Sequence, residues 1–429
     1  MEEEIPGYTI AEAVTEARRC LNCPKPLCRT GCPIENDIPQ FNHALAQGNM
    51  GEAYRIISQK SNLPAICGRV CPHENQCEGH CVLARTGKGI KIGRIERFIA
   101  DFYSENNLSS EKVVAKTNGK VAVIGSGPAG LTVAGDLARK GYNVVVYEGE
   151  SEPGGVLLYG IPDFRLPKEI VRRETKNIEA LGVTFITNTM VGKDITIDKM
   201  FEEGFDAIFI GTGTAIAKGL GIPGEDLKGV IQSSYLLRMT RLYRDGNVGR
   251  EEVPVEEGDE VIVIGAGNVA MDACRTAVLM KAKKVTVCYR KTIEFMRAAR
   301  AEYDGAVKDG VEFKWEHTPL EVVGKDGKVT GLKVSTPEGE KIIPADKVLL
   351  AVGSKPAGRV ISSTEGIDAD ESGYVITQQT PYGMTTKKGV FAGGDVVHKP
   401  ATVVLAMKEA KKVAQGIADY IQARRLLGV

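Results

Sequence analysis

Eight of the ten cysteines in this 429-residue chain fall between Cys20 and Cys81, and their spacing is the first feature that could carry chemistry. They run Cys20-x2-Cys23-x4-Cys28-x3-Cys32, followed by Pro33, and then Cys67-x3-Cys71-Pro72-x4-Cys77-x3-Cys81. Soft thiolates brought together from tight loops, with a Cys-x-x-Cys step and Cys-Pro pairs, suit iron–sulfur clusters. Structural zinc more often uses two Cys-x-x-Cys pairs, which this array lacks. A Cys-x3-Cys step on a helix would place both sulfurs on one face. Cys274 and Cys288 stand apart and read as small core residues.

A second chemistry lies in the glycines. Val121–Ile124 reads as a buried strand, Gly125-Ser-Gly127-Pro128-Ala129-Gly130 as a turn into a helix, and Val144–Tyr147 as the next strand, ending on Glu148. Here Gly125 permits the tight turn and Gly127 lets backbone approach a pyrophosphate. Gly130 lets helix and strand pack closely, and Glu148 stands where an acceptor meets ribose hydroxyls. The theme returns at Val261–Ile264 with Gly265-Ala-Gly267-Asn268-Val269-Ala270 and the strand Val285–Tyr289. Superposing the two copies puts Arg290 in the place of Glu148. A cation there favours a 2′-phosphate, hence NADPH over NADH, with help expected from Lys291 and Arg300. Opposite charges at the two sites point to one FAD site and one NAD(P)H site.

Other segments fit a flavin. Gly154-Gly155 follows the first unit, and Ala207–Ile210 leads into Gly211-Thr-Gly213, where small residues let backbone lie close to a flat ligand. Val390-Phe-Ala-Gly-Gly394-Asp395 offers an acid for the ribityl or phosphate region. The closing helix, expected to begin near Ala401 with Thr402 and Val403 at its start, turns its N-terminal dipole toward a reduced flavin. His43, His73, His80, His317 and His398 show no catalytic spacing and receive no role.

These sites need elements to hold them. The length allows two or three domains with sizeable cores. Lys plus Arg and Asp plus Glu number 55 each, so no electrostatic case exists for nucleic acid or an anionic membrane. Apolar runs are only strand length, which argues against a membrane span. The opening MEEEIPGYTI lacks signal-peptide regions, so the expected location is the cytoplasm, where clustered cysteines mean metal rather than disulfides. Before residue 115 no strand is evident. A short helix is expected over Ala11–Arg19 and a polar, helical stretch over Phe41–Gln59, and Ile95, Phe98, Ile99 and Phe102 mark an amphipathic helix. Ser104–Asn118 reads as a polar linker, and α/β alternation follows.

The cysteine array, Tyr159-Gly-Ile-Pro-Asp-Phe-Arg-Leu-Pro167, Gly267-Asn-Val-Ala-Met-Asp272 and Phe391-Ala-Gly-Gly-Asp395, in this order over essentially the whole chain, resemble the small-subunit family of glutamate synthase. The same module recurs in dihydropyrimidine dehydrogenase and in NADH-dependent ferredoxin:NADP oxidoreductase. The resemblance implies a helical iron–sulfur domain over 1–115 with two [4Fe–4S] clusters. It implies an FAD domain over 116–228 and 353–429. A second Rossmann-like domain, over 229–352, binds NAD(P)H and is inserted in the first, as in pyridine nucleotide–disulfide oxidoreductases.

By position, Cys20, Cys23, Cys28 and Cys81 would hold one cluster. Cys32, Cys71, Cys77 and the oxygen ligand Glu96 would hold the other, leaving Cys67 spare; a count of cysteines alone would give Cys67 that place instead. Relatives commonly carry Met-Pro where this chain has Met296-Arg297, which bears on the nicotinamide contacts. The implied activity is hydride transfer from NAD(P)H to FAD, with electrons leaving singly through the clusters to a partner of FMN-barrel or ferredoxin-linked type. No Cys-x-x-Cys pair follows Cys81, so the iron–sulfur domain is the expected outlet. A zinc-stapled scaffold that keeps a nucleotide-binding fold is the alternative from another class.

Overall fold

In the computed structural model, residues 3, 6–106, 108 and 113–428 are described. They fall into two compact units. One is Met1–Leu158, Asp163–Ala215 and Lys355–Val429; the other is Tyr159–Pro162 and Ile216–Ser354. Among the described residues no helix is long and apolar enough to cross a membrane.

The first unit opens with short helices and no strand before Lys120 among the described residues. Thr9 and Glu12 form a reciprocal capping box that starts the helix Ile10–Arg18, satisfying N–H groups that would otherwise lack partners. The expected helical stretch over Phe41–Gln59 consists of two helices, Ile38–Ala46 and Met50–Ser58. Gly48 adopts φ +80° between them, and Asn49 caps the second through its side chain. The amphipathic helix is Ile92–Glu105; its Ile95 and Ile99 join Phe41, Leu45 and Ile57 in an apolar core. Gly68 lets the helix Pro64–Val70 lie directly on it, because a Cβ there would stand 2.6 Å from Arg97 N. The proposed linker is shorter than expected. Ser104 and Glu105 still belong to the helix, and residues 107 and 109–112 lie outside those described.

The same unit contains a seven-stranded sheet. Its parallel part runs Thr184–Ile186, Asn143–Tyr147, Lys120–Ile124, Ala207–Ile210, Val390–Ala392. Tyr382–Thr385 and Thr377–Gln379 extend it antiparallel. Its fifth parallel strand therefore comes from chain that returns after the second unit. The inner strands are apolar on both faces, as a parallel sheet covered on both sides requires. The closing helix is Val403–Leu427 with Thr402 as its N-cap, two residues later than expected.

In the second unit, five parallel strands run Val230–Gln232, Lys347–Leu350, Glu260–Ile264, Lys284–Tyr289, Glu312–Trp315. A separate antiparallel sheet comprises Thr318–Lys325, Lys328–Thr336 and Gly339–Pro344. Cys274 and Cys288 are fully buried in its apolar clusters, as their isolation in sequence suggested.

Candidate functional site

The first glycine fingerprint is built as its spacing demands. Gly125 sits at φ +91°, and a Cβ there would stand 2.8 Å from Gly211 O. Gly130 lets the helix Pro128–Arg139 meet the strand: a Cβ would fall 1.9 Å from Gly125 O. Around Gly127, by contrast, a Cβ would meet open space, and no side chain caps the helix that starts there. The helix thus offers uncapped N–H groups and its positive end to an anion.

Other glycine segments converge on this loop. A Cβ on Gly155 would stand 2.9 Å from Gly127 Cα, and one on Gly394 would stand 2.8 Å from Ala129 Cβ. Gly213, at φ +64°, faces open space. The carboxylate of Glu148 is buried and held in place. Ser126 donates to Glu148 Oε2 from its N–H at 3.0 Å and from its hydroxyl, and Glu150 N donates to Oε1 at 2.9 Å. Ser126 Oγ also accepts from Gly154 N at 2.9 Å. Ser126 was missed in the sequence because it is a variable position of the fingerprint; only the fold gives it two partners. The half-buried carboxyl of Asp395 is pushed up to about 6 by burial.

The second fingerprint is similar. Gly265 at φ +130° lies against Ala351 O, Gly267 borders open space, and Ala270 is buried. The segment after Tyr289 folds back on this loop. Tyr289 Oη donates to Phe295 O at 3.0 Å, Arg297 N and Ala298 N donate to Ala266 O, and Ala299 N donates to Asn268 Oδ1 at 3.0 Å. Val269, Arg290, Lys291 and Arg297 are exposed. Arg300 is instead engaged by Asp304 at 2.9 Å and lies over the Tyr303 ring.

The cysteines separate into two groups. Cys20, Cys23, Cys28 and Cys81 line one cavity, walled otherwise by Leu, Ile, Val and Pro side chains and by Asn42. Burial pushes the Cys28 thiol up to about 11, with the other three thiols adding to the rise. Cys32, Cys67, Cys71 and Cys77 lie together with Glu96. Burial pushes Cys32 up to about 12, although the N–H groups of Asn36 and Ile34 oppose the shift. Cys71 rises through its hydrogen bond with Cys67 and through burial, and Cys77 through burial. Thiols this reluctant to ionise need a cationic partner to become ligands, which a metal cluster supplies.

Only two of the three Cys-x3-Cys steps use a helix. Cys32 and Cys71 cap the helices carrying Cys28 and Cys67, whereas Cys77 to Cys81 lie in a turn. Among the described residues no three His, Cys, Asp or Glu side chains converge closely enough for a single ion.

Cys67 itself is buried, its thiol 3.6 Å from Met407 Sδ and 4.0 Å from Ser61 Oγ. Glu96 is 8% exposed, and the arginines beside it in sequence are engaged elsewhere. Arg97 pairs with Glu3 at 2.6 Å and Asp101 at 3.5 Å, while Arg94 lies over Tyr8 and donates to Pro6 O. Burial, then the nearby Glu174, pushes Glu96 up to about 8. Glu174 accepts from Ala65 N at 2.7 Å, yet burial lifts it to about 7.

Glu96, Glu174 and Asp395 all bind protons more tightly folded than unfolded. Their contribution is present at low pH and lost as pH rises through the folded values, from about 6 to about 8. Thermal melts of the iron-free, flavin-free chain should therefore give a lower midpoint at about pH 9 than at about pH 5. A midpoint that rises over this interval would show these acids to be solvated or paired.

The chain matches known families over most of its length. Residues 1–108 match the family described as dihydropyrimidine dehydrogenase domain II, 4Fe-4S cluster, and residues 119–410 match pyridine nucleotide–disulphide oxidoreductase. It is 36% identical to the glutamate synthase [NADPH] small chain of Escherichia coli K12, covering 97% of this chain and 93% of that one. It is 33% identical to the NAD-dependent dihydropyrimidine dehydrogenase subunit PreT of Escherichia coli O157:H7, covering 98% and 97%. Among solved structures, FprA of Mycobacterium tuberculosis aligns with TM-score 0.60 at 18% identity, over 72% of this chain and 86% of that one. Thioredoxin reductase of T. acidophilum aligns with TM-score 0.54 at 22% identity, over 70% and 97%; both likenesses concern the fold.

Proposed function

This chain belongs to the iron–sulfur flavoprotein family of the glutamate synthase small chains, and from that membership we propose that it is the NADPH-oxidising subunit of a glutamate synthase. It is an oxidoreductase of pyridine nucleotide–disulphide oxidoreductase fold. The observation that carries the reading is that one compact unit holds both a flavin cradle and the four-cysteine cavity. When bound, FAD accepts a hydride from NADPH and the [4Fe–4S] clusters carry the electrons onward one at a time.

The residues fit these groups. The N-terminus of Pro128–Arg139 and the opening at Gly127 suit the FAD pyrophosphate, and Glu148, oriented by Ser126, suits the ribose. Asp395 would gain there the hydrogen bond its desolvated carboxyl needs. Cys20, Cys23, Cys28 and Cys81 would hold one cluster. For the other, Glu96 is the better fourth ligand beside Cys32, Cys71 and Cys77. A buried carboxylate without an ion pair gains most from a metal, while the Cys67 thiol is already matched to Met407 and Ser61.

The relatives named as small chains and subunits support a hetero-oligomer. The first cysteine cavity opens beside exposed Leu21, Leu27 and Val82. Residues 18–31 and 81–92 include Arg18, Arg19, Lys25, Arg29, Arg85, Lys88 and Lys91; Arg19, Arg29 and Lys91 are paired with Glu16, Asp37 and Glu78, so the basic character rests on the other four. Apolar centre and basic rim together make this the face for an acceptor subunit. A dihydropyrimidine dehydrogenase subunit is the second reading, favoured by similarity to PreT over nearly the whole chain.

Anaerobically purified protein should carry about one FAD and about eight iron atoms per chain, and NADPH should bleach the flavin absorbance. Iron near four would remove one cluster, and stoichiometric zinc in place of iron would end the electron-transfer reading.

Cofactor choice rests on the exposed cations after Tyr289. Arg290 and Lys291, with Arg297 tethered to the glycine loop, fit a 2′-phosphate better than Arg300, which Asp304 engages. Arg290→Glu should lower kcat/KM for NADPH at least tenfold, with little loss for NADH. If the unmodified protein prefers NADH, the charge argument is wrong.

A further inference from the structure

We propose that Asn42 is a hydrogen-bond donor to the cluster held by Cys20, Cys23, Cys28 and Cys81, and that it sets the reduction potential of that cluster. The inference rests on the iron–sulfur reading of the cavity.

Asn42 sits on the helix Ile38–Ala46, one turn after Ile38, and both residues line the cysteine cavity. Phe41 and Leu45 of the same helix enter the apolar core. The Asn42 side chain is 0% exposed, and neither Nδ2 nor Oδ1 has a hydrogen-bond partner in the protein. Leaving an amide dry in this way is unfavourable, so an apolar residue would serve a purely structural position better. The other side chains of the lining are hydrocarbon and thiol, so Asn42 brings the cavity its one side-chain amide.

Cluster and thiolate sulfurs are hydrogen-bond acceptors; the backbone N–H of Arg29 already donates to Cys28, and among the side chains lining that cavity the one able to donate a strong bond is Asn42, through Nδ2. An added electron places more negative charge on those sulfurs. An N–H directed at them therefore favours the reduced state and raises the potential. Cys32, in the other group, receives comparable bonds from backbone, through the N–H groups of Asn36 and Ile34. In the first group Cys28 receives one such bond, from Arg29 N–H; Asn42 adds a side-chain donor, which the sequence can change without altering the fold.

The test is a redox titration of the iron-loaded protein followed by EPR, on the unmodified chain, Asn42→Leu and Asn42→Ser. Asn42→Leu should lower the midpoint of one cluster by about 59 mV, a tenfold shift in the one-electron equilibrium. Asn42→Ser, which keeps a smaller donor, should fall between, with the other cluster and the flavin unchanged. Iron-replete Asn42→Leu with both midpoints at their original values would overturn the proposal.

A measurement on the unmodified chain covers the case in which neither variant holds iron. Pulsed EPR of reduced protein carrying 15N only at the asparagine side-chain amides should show a 15N coupling to the cluster held by Cys20, Cys23, Cys28 and Cys81, and its absence would overturn the assignment. Unmodified protein without iron would instead bring down the cluster reading on which the proposal stands.

Discussion

Cys28→Ser should halve the iron content and abolish electron delivery to a partner, while NADPH still bleaches the flavin. The two effects separate because the groups are assembled differently. Cys28 stands in a helix of five residues and faces a cavity with three other thiols, so a hard, weakly acidic hydroxyl in its place leaves the cluster three soft ligands. Nothing in the glycine cradle depends on that helix. Iron and acid-labile sulfide assays, with stopped-flow bleaching, read both halves. Unchanged iron would mean that Cys28 is not a ligand. The same assays separate the other pair: Glu96→Ala should disturb one cluster spectrum, and Cys67→Ser should disturb neither.

Gly130→Val should yield protein with almost no FAD. A Cβ at Gly130 would lie 1.9 Å from Gly125 O, a backbone atom that cannot swing aside. The helix Pro128–Arg139 would have to leave the strand, carrying its uncapped N–H groups away from the pyrophosphate. Overpacking of this kind costs about 1–3 kcal/mol or more, so thermal stability should fall as well. Gly127→Ala is the informative companion. A Cβ there meets nothing within 4 Å in the protein, so the flavin-free chain should melt as before while FAD affinity drops. If Gly127→Ala binds FAD as tightly as the unmodified chain, the pyrophosphate does not pass over Gly127.

Each fingerprint is a local code. Turn, helix start and the next strand occupy about thirty consecutive residues, and steric limits on φ and on helix–strand distance leave few residue choices. That is why Gly125, Gly127, Gly130, Gly265 and Gly267 could be placed from sequence. The cysteine spacings are equally local, and the amphipathic pattern of Ile95, Phe98, Ile99 and Phe102 reports a burial that any helix of that period must have.

Elements whose ends depend on capping were harder to place. Gly48 divides the expected helical stretch into two helices, and Thr402 starts the closing helix later than its apolar run implied. What tertiary structure alone decided depends on residues far apart in the chain. The Cys67 thiol meets Met407, 340 positions away, and this contact distinguishes it from the cysteines around it. Ser126 links Glu148 to Gly154 across three separate segments. Asn42 reads in the sequence as one polar residue on a helix; its meaning arises because Ile38–Ala46 turns it, dry and without a partner, into a cavity walled by cysteines from two other segments. Periodicity states that a side chain is buried, but the partner it finds there is set by which distant elements pack against it.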